Sequence, residues 1–252
     1  MHNYKITIEY DGTDFVGWQR QENGLSIQQL IEDSIYKLSN KKTTIFGAGR
    51  TDAGVHAKGQ VASFKLDSHI ELDTIRDGLN HHLRPHPIAI LSSEKTDPDF
   101  NARFSAKLRW YEYKLINRRP PLTLSNNRVW CVHKNINIQK MIEQSKLFLG
   151  KHDLSAFRSI NCQSSSVIKS INSLDIKQVN DEINFIISAK SFLHSQVRIM
   201  VGTLVDIGLE KISKSISEII SLKKRDFAGV TAPAYGLYPV SYTHLRAHET
   251  DR

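Results

Sequence analysis

Residues 43–66, TTIFGAGRTDAGVHAKGQVASFKL, hold two short apolar runs, TTIFG and QVASFKL, with a glycine-rich connection between them. Read as two strands, they form the middle of a longer pattern. Upstream, Tyr4, Ile6, Ile8 and Tyr10 alternate with Lys5, Thr7 and Glu9, the period-two pattern of a half-buried strand that ends at Asp11-Gly12. SIQQLIEDSIYKL follows as a helix, with Ser26 and Gln29 spaced as a capping box and Ile27, Leu30, Ile31 and Leu38 on one face. Downstream, LDTIRDGLNHHL predicts a helix with Ile75, Leu79 and Leu83 four apart, and PIAILSS a strand. The order is β-α-β-β-α-β, the split βαβ or ferredoxin-like arrangement.

After a polar, proline-containing connection at SEKTDPDFNARFSA, the same kinds of element return. LRWYEYKLIN predicts a strand, IQKMIEQSKLFLG a helix, SVIKSINSLDIKQV and INFIISAK a pair of strands, and FLHSQVRIMVGTLVDIG a longer helix. The fold class is therefore α+β, with two ferredoxin-like halves whose antiparallel sheets flank a central cleft. The expected divisions are an N-terminal domain at 1–105 carrying the glycine-rich loop, a C-terminal domain at 106–240, and a tail at 241–252. The tail, SYTHLRAHETDR, continues no strand or helix pattern; it reads as a replaced terminus whose removal leaves activity nearly intact.

Composition sets the setting. Lys and Arg number 34 against 26 Asp and Glu, a net charge of +8, which favours a polyanionic partner such as nucleic acid. The two cysteines, Cys131 and Cys162, are far apart and form no CxxC pair, which fits a reduced, cytoplasmic setting without a disulfide framework or thiolate zinc site. No apolar run reaches the roughly 18 residues of a membrane span.

Between the two middle strands, Gly47, Gly49, Gly54 and Gly59 surround Arg50-Thr51-Asp52. The spacing of Gly47, Gly49 and Gly54 is not GxGxxG and leads toward a strand, and no GK[ST] follows, so neither a dinucleotide loop nor a P-loop is present. Asp52 with His56 offers at most two metal ligands. The ordinary reading is a long hairpin connection with glycines at positive φ. Its length, and opposite charges two residues apart at Arg50 and Asp52, exceed what a turn requires.

GAGRTDAGVHAKGQV closely resembles the signature of the tRNA pseudouridine synthase A family. IEYDGTDFVGWQRQ, FNARFSAKLRWYEY, DLSAFRS, FLHSQVRIMVG and GLYPV occur in the family's order along nearly the whole chain to about residue 240. The resemblance implies an isomerase that converts uridine to pseudouridine at positions 38, 39 and 40 of the tRNA anticodon stem-loop, working as a homodimer and without a cofactor or metal. The reaction breaks the N1–C1′ bond, turns the base and joins C5 to the same sugar carbon, with no net oxidation or group loss. It implies that Asp52 is the carboxylate that attacks or stabilises the reacting nucleotide. Arg50 then helps hold the place of the flipped nucleotide, Arg198 forms a salt bridge to Asp52, and Tyr111 stacks on the uracil. Where the family commonly reads His-His-Met-Val-Arg-Asn, this chain has His194, Ser195, Gln196, Val197, Arg198 and Ile199.

Beside each role stands an ordinary one. Arg198, on the flank of a stripe formed by Leu193, Val197, Val201 and Leu204, reads by itself as a snorkelling surface arginine, and Tyr111 as sheet packing. Trp110 and Tyr113 keep the packing role. Arg103, Lys107, Arg109, Lys114, Arg118 and Arg119, facing the single acid Glu112, read as an RNA-tracking surface. His81, His82 and His86 end a helix and complement its dipole without binding metal. The rival functions are a non-catalytic tRNA-binding or tRNA-folding protein and a metal-dependent RNA hydrolase.

Overall fold

The computed structural model describes residues 1–160, 162 and 164–244, and the rest of the expected tail lies outside the described residues. The chain forms two compact units, Met1–Arg109 together with the stretch from Pro239, and Trp110–Tyr238. Strands and helices are mixed in both, an α+β protein.

In the first unit the elements run β1 (His2–Tyr10), α1 (Ile27–Ser39), β2 (Phe46–Gly47), β3 (Ala57–Leu66), α2 (Leu72–Leu83) and β4 (Ile88–Thr96), the β-α-β-β-α-β order expected. The sheet order is β2-β3-β1-β4 with every pairing antiparallel. The alternation in β1 buries Tyr4, Ile6, Ile8 and Tyr10, which pack with Phe64 and Leu66 of β3, Ile27, Ile31 and Ile35 of α1, and Ile75, Leu79 and Leu83 of α2. One apolar stripe per helix on one sheet face is enough to build this core. The Ser26 half of the capping box forms, its hydroxyl accepting the Gln29 amide at 3.3 Å. TTIFG keeps only two residues as strand, because the backbone turns into the glycine-rich connection from Ala48 on.

The second unit holds most of a six-stranded sheet. β5 (Ala106–Asn117) and β10 (Leu237–His244) carry the chain out of and back into the first unit; between them come β6 (Trp130–Val132), α3 (Ile138–Ser145), β7 (Gly150–Asp153), β8 (Ile168–Val179), β9 (Glu182–Ala189), α4 (Gln196–Gly208) and α5 (Ile216–Leu222). The order is β10-β5-β9-β8-β7, and β6 pairs with β5 in parallel. Helix α3 ends five residues before Gly150, where the expected helix stopped; the chain tightens into a 3-10 turn at Lys146–Phe148 and leaves as β7. Helix α4 is not the one-sided amphipathic helix its stripe predicted. Apart from Arg198, every one of its residues is buried, as expected of a helix surrounded by its own domain.

The reading of 241–252 as lacking any strand is corrected by β10, which runs through Ser241–His244. Tyr242 is buried with Ala48, Val61, Ala102 and Ala106. Ending the chain after Val240 deletes this ring and is expected to cost roughly 3 kcal/mol, in the range of large-to-small changes in a core. The melting temperature should then fall by about 6–12 °C for a chain of this size. Ending it after His244 keeps the ring and supplies the reference for this comparison. Calorimetry on the two truncations decides, and equal melting would show that Tyr242 contributes nothing.

Candidate active site

The glycine-rich connection is fixed by residues outside it. The Trp18 amide donates to the Thr51 carbonyl at 3.1 Å, and the Tyr10 and Thr51 hydroxyls share a buried hydrogen bond at 2.9 Å. The fully buried Gln60 donates its side-chain amide to the Gly49 carbonyl at 2.8 Å. Downstream, the Val55 amide closes a turn onto the Asp52 carbonyl at 3.2 Å, and Gly54 takes φ +75° there, in the left-handed region that glycine enters without a steric cost. The Gly12 amide donates to Nδ1 of His56, whose ring is buried.

Thr51 is buried and held at both its carbonyl and its hydroxyl, while of its neighbours Arg50 is exposed and Asp52 half-buried. Gly17 supports the arrangement from the β1–α1 connection, at φ +113° and so close that an added Cβ would sit 2.5 Å from the Thr51 carbonyl oxygen. The stiffness around Asp52 thus comes as much from Tyr10, Trp18 and Gly17 as from the glycines beside it. Sequence reasoning assigned Tyr10 to the core and left Trp18 and Gln60 without a role. Trp18 lies in IEYDGTDFVGWQRQ and Gln60 in GAGRTDAGVHAKGQV, and the resemblance of these stretches to the family does not say what each residue holds.

Tyr111 and Arg198 belong to the second unit. Tyr111 is buried on β5, its ring edge-to-face with Phe192 at 5.3 Å between centroids. Two residues along the same face, Tyr113 is fully buried and donates its hydroxyl to the Pro233 carbonyl at 2.9 Å, so its expected packing role holds. Burial pushes the Tyr113 phenol well above its usual range, the Arg198 charge acting against the shift. Arg198, the one residue of α4 not buried, donates Nε to the Ala232 carbonyl at 2.8 Å, and its own carbonyl accepts the Ala232 amide at 3.1 Å. It is tethered and half-buried, unlike a snorkelling side chain. Adjacent carbonyls, at 232 and 233, thus anchor Arg198 and Tyr113 in one neighbourhood that also contains the β5 face of Tyr111.

The departure at 194–199 has a local account. Gln196 is buried, and its side-chain oxygen accepts the Leu193 amide at 2.7 Å, closing the entry to α4 while Ser195 sits at φ 57°. The basic run at 103–119 is not one continuous surface. Lys114 pairs with Glu182 at 3.6 Å and Arg118 with Asp181 at 3.3 Å, and Arg109 is turned inward to the Ala48 carbonyl, leaving Arg103, Lys107 and Arg119 exposed. His81 and His82 lie in the last turn of α2, and among the described residues no three His, Cys, Asp or Glu side chains are grouped to hold a metal. No helix among the described residues is long and apolar enough to cross a membrane.

Comparison with known proteins agrees with the layout of these motifs. A family model described as tRNA pseudouridine synthase matches residues 6–105 and 145–243. A tRNA pseudouridine synthase A of Ehrlichia chaffeensis is 53% identical over 237 residues, 93% of this chain and 97% of that protein. Those of Wolbachia pipientis wMel and Parvibaculum lavamentivorans are 48% and 45% identical over 239 residues, 94% of this chain and 98% and 97% of theirs. A crystal structure of a Cbf5-Nop10-Gar1 complex aligns over 93% of this chain and 57% of its own with a TM-score of 0.40 and 8% identity, too weak a likeness to inform the fold. With the signature triplet held by buried bonds, and with relatives of this identity along nearly its whole length, the chain belongs to the tRNA pseudouridine synthases, isomerases that modify tRNA.

Proposed function

We propose that the enzyme isomerises uridines 38, 39 and 40 of the tRNA anticodon stem-loop, as a cytoplasmic homodimer of chains built from two ferredoxin-like halves flanking an RNA-binding cleft. In this reading Asp52 is the carboxylate that engages the reacting nucleotide, Arg198 supports it by charge, Arg50 holds the place the base vacates, and Tyr111 stacks on the displaced uracil. The observation that carries it is the triplet at 50–52, with the buried middle residue locked by Tyr10 and Trp18 between an exposed Arg50 and a half-buried Asp52. A site that moves a base out of its stack gains from groups fixed beforehand, because no ordering is then needed when the substrate arrives.

Chemistry sets what this chain must supply. Breaking N1–C1′ and forming C5–C1′ leaves the atom count unchanged, with the C5 hydrogen lost and N1 protonated, so a carboxylate and a positioned base are the essential parts. The test is to incubate purified protein with an unmodified tRNA transcript, without added cofactor, and to map pseudouridine by position. Product at 38–40, at unchanged RNA mass and length, is expected. Pseudouridine confined to other positions would overturn the site assignment, strand scission would point to hydrolysis, and tight binding without product would point to a non-catalytic tRNA-binding protein.

A further inference from the structure

The connection FNARFSAK, residues 100–107, presents a phenylalanine where one is not needed for packing. Phe100 is packed against the cluster of Ala48, Val61, Ala102, Ala106 and Tyr242. Phe104 is 77% exposed. An isolated exposed apolar side chain is unremarkable on a loose loop, but this loop is tightly held. Asn101 Oδ1 accepts the amides of Arg103 at 3.0 Å and Phe104 at 3.3 Å, the Asn101 amide donates to the Ser105 hydroxyl at 3.1 Å, and the Ala102 amide donates to Ser63 at 3.0 Å. The Arg103 guanidinium lies 5.4 Å from the centre of the Phe104 ring, covering one face with a planar cation. Arg109 then ties this loop to the catalytic connection: Nη2 donates to the Arg103 carbonyl at 2.8 Å, and Nε to the carbonyl of Ala48, two residues before Arg50, at 3.1 Å.

We propose that Phe104, backed by Arg103, is a stacking platform for a nucleobase of the tRNA substrate, distinct from the uracil contact assigned to Tyr111. The proposal rests on the reading of this chain as an enzyme acting on tRNA. A flat, exposed ring on a rigid loop binds a base without paying to order the loop, and any base will serve because every base has a π face. Arg103 and Lys107 are exposed beside it and suit an RNA backbone. Asp97 and Asp99, in the same connection, offset that charge, so stacking and not ion pairing is the main contribution of Phe104.

This predicts a particular split between affinity, salt dependence and rate. Phe104→Ala and Phe104→Leu should each weaken binding of an unmodified tRNA transcript by roughly 5- to 150-fold, the range of one lost base–aromatic stack. Phe104→Tyr should bind within about 3-fold of the wild type, because it keeps the ring. The slope of log affinity against log salt should be unchanged in all three, while Arg103→Ala should make it shallower by about 0.7, one phosphate contact on a single strand. The single-turnover rate at saturating enzyme should stay within about 3-fold in Phe104→Ala, since the ring adds binding and not chemistry. Melting should be unchanged, given the ring's exposure. Wild-type affinity in Phe104→Ala would overturn the platform, as would Phe104→Leu binding as well as Phe104→Tyr, which would show a mere apolar contact. A change of oligomeric state in Phe104→Ala would also overturn it and assign the ring to a second copy of the chain. If the wild type binds tRNA with this dependence on Phe104 but makes no pseudouridine, the functional reading fails and the platform stands.

Discussion

Asp52→Asn is expected to bind tRNA and form no pseudouridine. Asparagine keeps the shape and the backbone bond by which the Val55 amide reaches the residue 52 carbonyl, so the turn at 52–55 and the hydrogen bonds that lock Thr51 survive the change. What is lost is a carboxylate oxygen able to attack or balance charge at the sugar. Removing the group that performs a covalent step lowers turnover by at least about 10³-fold in enzymes where this has been dissected. Affinity should stay within about 3-fold, or tighten, because removing one negative charge from an RNA-binding surface relieves repulsion with phosphate. Single-turnover pseudouridine formation at saturating enzyme, alongside a binding isotherm, separates the two effects. Turnover within tenfold of the wild type, in a variant that melts normally, would remove Asp52 from the catalytic role.

The parts of this design that were legible beforehand follow from periodicity. Tyr4, Ile6, Ile8 and Tyr10 alternate because one sheet face is covered by helices, and Ile75, Leu79 and Leu83 recur because one helix face covers it; such local repeats survive in a single sequence. The element order of the first unit was readable for that reason. The second unit was harder, because α4 is buried on nearly all sides, the polar Gln196, Thr203 and Asp206 included, and its apolar stripe is only part of that buried surface, while β6 and β7 are three and four residues long. Short strands gain their identity from neighbours distant in sequence, as β7 does from pairing with β8. At the candidate site, Arg50 and Asp52 stood out as charges that a turn does not require. The bonds that fix them did not, because Tyr10 reaches Thr51 across 41 positions and Gln60 satisfies a carbonyl from inside a strand. Lys114 and Arg118 looked like RNA contacts for the complementary reason: their partners, Glu182 and Asp181, lie more than 60 residues away in the chain.

Tyr111 separates two roles by substitution. Its ring is buried and set edge-on to Phe192 at 5.3 Å, so the position is rigid and the aromatic surface is defined before any substrate arrives. Phenylalanine retains that ring and its contact with Phe192 and removes only the hydroxyl. Alanine removes both, and opens a cavity whose cost, about 3–5 kcal/mol for a large aromatic, must be tracked by melting before activity is interpreted. If the tyrosine serves by stacking on the displaced uracil, the Phe variant should keep single-turnover activity within about tenfold, while the Ala variant, measured below its melting transition, loses the stack worth about 1–3 kcal/mol and the rigidity that positions the base. If instead the hydroxyl takes part in removing the C5 proton, the Phe variant should lose about 10²–10⁴-fold, the usual contribution of a positioned acid or base. RNA that has lost its N1–C1′ bond but not its C5 hydrogen should then accumulate on that variant. Saturating enzyme removes affinity from the comparison, so the Phe-to-Ala ratio reads the ring and the wild-type-to-Phe ratio reads the hydroxyl. A folded Tyr111→Ala protein as fast as the wild type would return this residue to sheet packing alongside Tyr113, and would leave the uracil to be held by residues other than Tyr111.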